Sequence, residues 1–212
     1  MKLYTYFRSS AAFRVRIALN LKGLPYEPAF VHLAKGEHRQ PEYSSVNAQA
    51  LVPTLELDDG TRLNQSLAII EYLEETHPRP ALLPADAKGR ARVRSLSSLI
   101  AAEIHPLNNL RVLQHLKRAL GQTEDQVNAW YRHWIADGLA KFEADLARGT
   151  KSKFCYGDSP TLADCCLVPQ IFNAKRYDCA LAPYPNTVRV FDACMKLDAF
   201  DRAQPAKQPD AE

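Results

Sequence analysis

FRSSAAFRVRIAL, at residues 7–19, decides the fold, because it turns a short predicted strand into a helix. Phe13 and Ile17 stand four residues apart, a spacing that indicates one buried helical face. Ser9 and Ser10 are favourable N-cap residues, and the free N–H groups of a helix N-terminus favour an anion. The stretch therefore predicts a strand-turn-helix unit. Its serines either simply cap the helix or help to bind a phosphate, carboxylate or thiolate.

The composition indicates a globular protein of one large or two small domains. The chain has 212 residues, of which 46% are hydrophobic. Its net charge of +3, from 27 basic and 24 acidic residues, does not indicate nucleic acid or membrane as a partner. We expect no signal peptide and no membrane span, because no apolar run has the required length.

The five cysteines all lie in the last third of the chain, and none forms a C-x-x-C pair. This distribution argues against a disulfide framework and against a zinc site. We interpret the cysteines as reduced and mostly packed thiols of a cytoplasmic protein, and we expect no metal.

Residues 1–78 predict an α/β domain of the order β-α-β-α-β-β-α. The first two strands should be parallel and joined by the helix of residues 7–19. A strand led by Pro53, which favours a cis peptide, then precedes a hairpin turn at 58–60. Ser66 is placed to cap the following helix. Two helix N-termini should thus face one crevice beyond the strand ends.

Residues 79–86 are rich in proline and predict a linker, and residues 87–212 predict an all-helical second domain. Pro106 should break the first long helix near 104–105. Residues 122–148 predict a second long helix, and its expected apolar anchors are Trp130, Trp134, Leu139 and Phe142. Thr161 and Asp164 form a capping-box pattern before an apolar run. The polar tail from residue 204 is expected to fray.

Three motifs together resemble the cytosolic glutathione transferases, and the resemblance covers nearly the whole chain. Val52-Pro53 precedes the third strand, Gln65-Ser66 begins a helix, and Thr161-Leu162-Ala163-Asp164 caps a core helix. Residues 7–19 and 65–75 are similar to the zeta class of that family. The resemblance implies a thioredoxin-like N-terminal domain followed by an all-helical domain.

Zeta-class members are isomerases of maleyl keto acids, so the resemblance implies a glutathione-dependent cis–trans isomerase. The zeta pattern has Ser-Ser-Cys where this chain has Ser9, Ser10 and Ala11. Bound glutathione is then the only evident sulfur at the turn. The departure indicates a branch apart from the ordinary maleylacetoacetate isomerases. The chain most resembles the bacterial enzymes that convert maleylpyruvate to fumarylpyruvate in gentisate and aromatic catabolism.

The implied chemistry needs an activated thiol and a site for a dicarboxylate. A free thiol has a pKa of about 8.5, which must be lowered toward neutrality. Ser9 or Ser10 is expected to do this by donating a hydrogen bond to the sulfur. Arginine forks are the expected partners of the two carboxylates, and we assign Arg8, Arg111 and Arg176 to substrate binding, with Arg8 also counted as catalytic.

The resemblance also implies a set of glutathione contacts. The γ-glutamyl end should meet Gln65 and Ser66, the cysteinyl backbone should pair with Val52, and the glycyl end should reach the loop around His38. His105 either closes the site from the helical domain or caps the break before the proline. The full predicted set is Ser9, Ser10, Ala11, His38, Val52, Pro53, Asn64, Gln65, Ser66, His105, Asn108 and Asn109.

The sequence is compatible with three alternative functions. The substrate could be maleylacetoacetate, the intermediate of tyrosine and phenylalanine catabolism. The protein could instead be a general conjugating transferase or a peroxidase, which should have an apolar second site. It could also be a non-catalytic module that binds glutathione. Zeta-class relatives form homodimers, so the resemblance implies a homodimer.

Overall fold

The computed structural model describes all 212 residues, and these form two compact units. Unit 1 comprises residues 1–82 together with 195–212, and unit 2 comprises residues 83–194. The units therefore differ from the predicted division, in which residues 79–86 were a linker and the helical domain extended to the last residue.

Unit 1 is built on a four-stranded sheet with the order β2-β1-β3-β4. β1 pairs in parallel with β2 and antiparallel with β3, and β3 pairs antiparallel with β4. The parallel crossover and the hairpin agree with the sequence pattern. The strands are β1 (Lys2–Thr5), β2 (Glu27–Phe30), β3 (Thr54–Glu56) and β4 (Arg62–Asn64).

Two longer helices and two short ones accompany this sheet in the first 82 residues. A one-turn 3₁₀ helix (Glu37–Arg39) and α2 fill the polar region between β2 and β3. The peptide before Pro53 is cis, as predicted. The helices are α1 (Ser10–Leu21), α2 (Pro41–Ser44) and α3 (Ser66–Thr76).

A buried lysine of unit 1 binds the start of the proline-rich segment. Lys22 Nζ donates to Glu74 at 2.8 Å and to the carbonyl oxygens of His77 at 2.7 Å and Pro80 at 3.0 Å. Glu74 also accepts the backbone N–H of Leu82 at 2.9 Å. These bonds fasten the proline-rich segment to unit 1, so it does not act as a free linker in the structure.

The chain from residue 195 onward packs on unit 1, contrary to the predicted helical-domain assignment. α9 (Asp198–Arg202) packs against α1, and Phe200 is fully buried. A 3₁₀ turn (Pro205–Lys207) follows, and Asp210 accepts the backbone N–H of Phe7 at 2.9 Å. The prediction that the tail frays from residue 204 is therefore wrong, because polar groups of the tail have partners far away in the sequence.

Unit 2 is all-helical, as the sequence indicated. The first long helix is interrupted by a π-helical segment (Leu99–Ile104) and a 3₁₀ turn (His105–Asn108). The interruption falls where Pro106, which lacks an N–H donor, was expected to break the helix. The helices are α4 (Ala87–Ser98), α5 (Leu110–Arg118), α6 (Glu124–Arg148), α7 (Leu162–Arg176) and α8 (Pro185–Met195). No helix of either unit is long and apolar enough to cross a membrane.

The buried face of α6 differs in part from the expected one. Val127, Tyr131, Ile135 and Leu139 recur every four residues and are all buried. Phe142 is also buried, as is Leu139, in agreement with their expected role as anchors. Two other expected anchors, Trp130 and Trp134, are only half-buried and pack edge-on against each other at 5.6 Å between ring centroids. These tryptophans thus lie beside the core stripe.

α7 begins with the predicted capping box and is the most buried helix of unit 2. The Asp164 carboxylate accepts hydrogen bonds from Thr161 N and Oγ1, both at 2.8 Å, and from Cys155 N at 2.9 Å. Burial raises the pKa of Asp164, while these hydrogen bonds act in the opposite direction.

All five cysteines are free thiols, and only Cys179 is partly exposed.

Gly138 is required where α6 crosses the π-helical segment. A Cβ at this position would overlap Cγ1 and Cδ1 of Ile104, which is buried. We expect Gly138→Ala to reduce the free energy of unfolding by about 1–3 kcal/mol, because overpacking forces neighbouring groups to move. Gly149→Ala is the matched control, since a Cβ there would meet only ordinary contacts. Equal thermal unfolding temperatures for both variants would contradict this prediction.

Candidate active site

The turn before α1 leaves the Ser9 hydroxyl able to donate a hydrogen bond outward. Ser9 is the N-cap, and its Oγ accepts the backbone N–H of Ala12 at 3.2 Å. Since the oxygen already accepts this bond, its hydrogen remains available to donate outward. Ser9 is half-buried, whereas Ser10 is 7% exposed. The geometry therefore favours Ser9 over Ser10 as the donor, an issue that the sequence left open.

A second helix N-terminus lies beside the first in unit 1. Arg14, on α1, donates from Nη1 to the Oγ of Ser66 at 3.2 Å, which links the starts of α1 and α3. Ser66 does not cap α3 as predicted, because its hydroxyl is engaged by Arg14 and the cap position is Gln65. Two helix N-termini at one place create an environment that favours negative charge.

Gln65 has an unusual backbone conformation at this position. Its φ of 69° and ψ of 117° lie in a region that a residue with a side chain rarely adopts. Its side-chain amide donates to Gln49 Oε1 at 2.6 Å, and the side chain is exposed. Strained backbone of this kind is concentrated at ligand sites, which supports the predicted binding role of Gln65 and its neighbour.

A buried polar network holds the segment that contains Val52 and Pro53. The Leu51 carbonyl accepts hydrogen bonds from Tyr43 Oη at 2.6 Å and from Asn47 Nδ2 at 2.8 Å. Asn47 Nδ2 also contacts Thr54 Oγ1 at 3.1 Å. Thr54 Oγ1 donates to Oδ1 of Asn64 at 2.8 Å. Asn64, predicted to bind glutathione, is thus a support for the segment in this structure.

His38 carries a buried polar atom that lacks a partner within the chain. The residue is 8% exposed, and its Nδ1 makes no hydrogen bond. Burial, together with the charge of Arg39, lowers the pKa of His38, so the ring is neutral at neutral pH. A buried atom without a partner is unfavourable unless a ligand or water satisfies it. His38 therefore fits its predicted role as a glutathione contact.

The three arginines assigned to the substrate are free to bind an anion. Arg8, Arg111 and Arg176 are exposed, and none of them forms an ion pair within the chain. The Arg8 guanidinium lies 4.8 Å from the ring centroid of Phe7, immediately before the serine pair. Their charges are thus available to a carboxylate rather than neutralised by Asp or Glu.

In unit 2, Arg176 and Asn108 are brought together by a tyrosine that the sequence analysis missed. Asn108 Nδ2 donates to the Tyr131 carbonyl at 3.2 Å, and its buried Oδ1 has no partner. The Tyr131 ring stacks on Tyr177 at 3.6 Å, and the Arg176 guanidinium lies 4.9 Å from the Tyr177 centroid. Burial raises the pKa of Tyr131, and the nearby Arg176, which hydrogen-bonds it, acts in the opposite direction.

Asn109 and Arg111 lie at the start of α5, just after this cluster. Asn109 caps the helix, since its Oδ1 accepts the backbone N–H of Arg111 at 3.1 Å. Asn109 is thus engaged locally, and its predicted contact with glutathione stays a prediction. His105 is half-buried and begins the 3₁₀ turn that ends at Asn108. One sequence signal could have indicated that Tyr131 is buried. It is one of the apolar α6 residues that recur every four positions.

Comparison with known proteins gives a consistent assignment. The model of the glutathione S-transferase N-terminal domain matches residues 8–76, and that of the C-terminal domain matches residues 124–193. The chain is 52% identical to a maleylpyruvate isomerase of Ralstonia sp, over 100% of both chains. It is 49% identical to a maleylacetoacetate isomerase of Pseudomonas aeruginosa, over 99% of this chain and 98% of the other.

Solved structures share the same fold over the full length. A holo maleylpyruvate isomerase, described as a bacterial zeta-class glutathione S-transferase, superposes with a TM-score of 0.97 at 50% identity and 100% coverage of both chains. A maleylacetoacetate isomerase of Methylobacterium extorquens AM1, with malonate and glutathione bound, also gives 0.97, at 39% identity and full coverage of both. The chain therefore belongs to the zeta class of the glutathione S-transferase family.

Proposed function

We propose that the protein is a glutathione-dependent cis–trans isomerase that converts maleylpyruvate to fumarylpyruvate. One observation carries the proposal: unit 1, which holds the Ser9 turn, contains no cysteine, because all five lie between residues 155 and 194. A turn built to stabilise a thiolate must then receive its sulfur from a bound thiol. Glutathione, when bound, supplies a thiolate that adds to the double bond, permits rotation about it and leaves unchanged.

The residues of unit 1 would bind and activate this thiol. Ser9 would donate its hydroxyl hydrogen to the sulfur, and the N-terminus of α1 would favour the ionised form of the thiol. Gln65 and Ser66 stand where a γ-glutamyl carboxylate would meet the N-terminus of α3. The backbone next to Pro53 and the neutral His38 ring complete the set. The fit rests on the strained Gln65 and on the unpartnered His38 atom.

The arginines would bind the two carboxylates of the substrate. Arg8, Arg111 and Arg176 have exposed guanidinium groups that form no ion pair within the chain, and such groups form bidentate hydrogen bonds with carboxylates. Such exposed charges are unsuited to a hydrophobic electrophile, and this disfavours a general conjugating transferase. The solved relative with bound malonate, itself a dicarboxylate, is consistent with this assignment.

Maleylacetoacetate is the alternative substrate, because relatives with that activity in their names are nearly as similar. The deciding experiment compares both substrates by absorbance, with and without glutathione. We expect turnover only with glutathione and a higher kcat/KM for maleylpyruvate. Turnover without glutathione would overturn the proposal, and a higher kcat/KM for maleylacetoacetate would reassign the substrate.

Arg176→Ala should impair the use of the substrate while glutathione binding survives. The loss of a charge-assisted hydrogen bond costs about 1.5–3 kcal/mol, or roughly 10- to 100-fold in kcat/KM. Arg118→Ala, which removes an exposed arginine from the end of α5, is the matched control. Calorimetric titration with glutathione should give the same Kd for both variants. Full activity of Arg176→Ala would remove this residue from the substrate site.

The wider setting is also part of the proposal. We propose a homodimer, by analogy with the zeta class, and a role in the catabolism of aromatic compounds. We further propose that the protein works in the cytoplasm, where its five free thiols stay reduced. Light scattering of the purified protein tests the dimer, and a monomer at micromolar concentration would contradict it.

A further inference from the structure

Residues 203–212, here called the strap, are fastened to the turn that presents Ser9. The Asp210 carboxylate accepts the backbone N–H of Phe7 at 2.9 Å. The Ala203 carbonyl accepts two hydrogen bonds from Arg16, from Nε and from Nη2, each at 3.1 Å. The strap therefore contacts the turn directly at Phe7 and holds it a second time through Arg16.

Arg16 uses all of its donors to join the strap to the end of β1. It is fully buried and has five N–H groups, as every arginine does. Beyond the two bonds to the strap, Nη1 donates to Thr5 Oγ1 at 3.0 Å and to the Tyr6 carbonyl at 3.3 Å, and Nη2 donates to the Phe7 carbonyl at 3.1 Å. One planar guanidinium thus fixes three consecutive residues, and its rigid geometry tolerates little movement of any acceptor.

Asp210 also offsets part of the unfavourable burial of the Arg16 charge. Burial lowers the pKa of Arg16 to about 10, and Tyr26 and Asp210 act in the opposite direction. Arg16 therefore remains charged at neutral pH. Asp210 Oδ1 is buried without a hydrogen-bond partner, so the bond from Phe7 to the other oxygen sets the orientation of the carboxylate.

The same peptide groups form the turn that leads to Ser9. The Tyr6 carbonyl, held by Arg16, also accepts the backbone N–H of Ser9 at 2.9 Å. The Phe7 peptide is held on both sides, by Asp210 at its N–H and by Arg16 at its carbonyl. The position of the Ser9 hydroxyl is therefore determined in part by a segment about 200 residues away in the sequence.

We propose that Arg16 and Asp210 are positioning residues for thiol activation, and that the strap is the element through which they act. They operate through the backbone of Tyr6 and Phe7 and reach Ser9 only by way of that turn. The proposal rests on the proposed function, because it concerns the same hydroxyl and the same bound thiol.

The test compares Asp210→Ala, Asp210→Asn and wild type. Asn keeps an oxygen acceptor for the Phe7 N–H, whereas Ala removes it. The pKa of the bound glutathione thiol is read from the ultraviolet absorbance of the thiolate across pH, and hydrogen exchange at residues 5–12 is measured in glutathione-free protein. For Asp210→Ala we expect a thiol pKa moved toward the free value of about 8.5, faster exchange and a kcat about tenfold lower, with KM for the substrate unchanged.

Asp210→Asn should restore most of the wild-type thiol pKa. Asp198→Ala is the matched control, because it removes an exposed carboxylate from α9 that pairs only with Arg202. Arg16→Lys is a second variant, which keeps the positive charge but loses the planar guanidinium group and its five N–H donors. It should also raise the pKa of the bound thiol. Circular dichroism confirms that each variant is folded.

Two outcomes distinguish a failure of the positioning role from a failure of the proposed function. A wild-type thiol pKa and wild-type turnover in folded Asp210→Ala would overturn the positioning role while leaving the proposed function intact. Absence of a bound thiolate in wild-type protein would overturn the proposed function and, with it, this proposal.

Discussion

Replacing Ser9 with alanine is expected to lower kcat at neutral pH about 100-fold, the cost of one missing donor at a site of developing charge. The variant loses the Ser9 hydroxyl, which can donate a hydrogen bond outward. We expect α1 to remain folded and glutathione still to bind. The thiol pKa should return toward about 8.5, so the activity of Ser9→Ala should rise with pH while that of the wild type is nearly constant above neutrality.

A loss of the N-cap also weakens α1 by about 1 kcal/mol, and this effect must be separated from the chemistry. Ser9→Gly serves for that purpose, because glycine is a better cap than alanine yet has no hydroxyl. Ser45→Ala controls for the loss of an ordinary surface hydroxyl. If Ser9→Ala and Ser9→Gly both retained wild-type kcat, a different group would have to stabilise the thiolate.

Replacing Asp164 with alanine should destabilise unit 2 by about 3–5 kcal/mol, since several buried donors lose their acceptor at once. These are the backbone N–H groups of Cys155 and Thr161 and the Thr161 hydroxyl. The Cys194 thiol, 3.7 Å from Oδ1, loses a partner as well. Such a loss is a large share of the stability of a typical domain.

Urea unfolding followed by far-ultraviolet circular dichroism measures this effect. Asp158→Ala is the matched control, because Asp158 is an exposed carboxylate in the turn before the same helix. Its midpoint should equal that of the wild type. A midpoint for Asp164→Ala that also equals the wild type would show that the capping box is not needed to hold α7 in the core.

Local signals in the sequence predicted much of the fold and the first part of the site. The serines before α1, the cis peptide at Pro53, the interruption near Pro106 and the cap at Thr161 all depend on residues close in sequence. Propensity and spacing are enough for such features, because the interacting groups lie within one or two turns.

Individual side-chain contacts between distant residues were not predicted. Arg16 joins Ala203 across 187 positions, and no periodicity or motif marks such a pair. For the same reason the tail was expected to fray, although it is bonded to the first turn of the protein. Ser66 was expected to cap α3 because a serine before a helix usually does so. The structure shows its hydroxyl engaged by Arg14 instead.

The absence of cysteine from unit 1 has a consequence for chemical resilience. A nucleophilic sulfur on the polypeptide can be oxidised beyond the sulfenic state or alkylated, and the molecule that carries it is then lost. Here the four most hidden thiols are packed away from solvent, and the reactive sulfur arrives with an exchangeable tripeptide. When this sulfur is damaged, the modified glutathione dissociates from the protein. A fresh molecule of reduced glutathione then binds and restores activity.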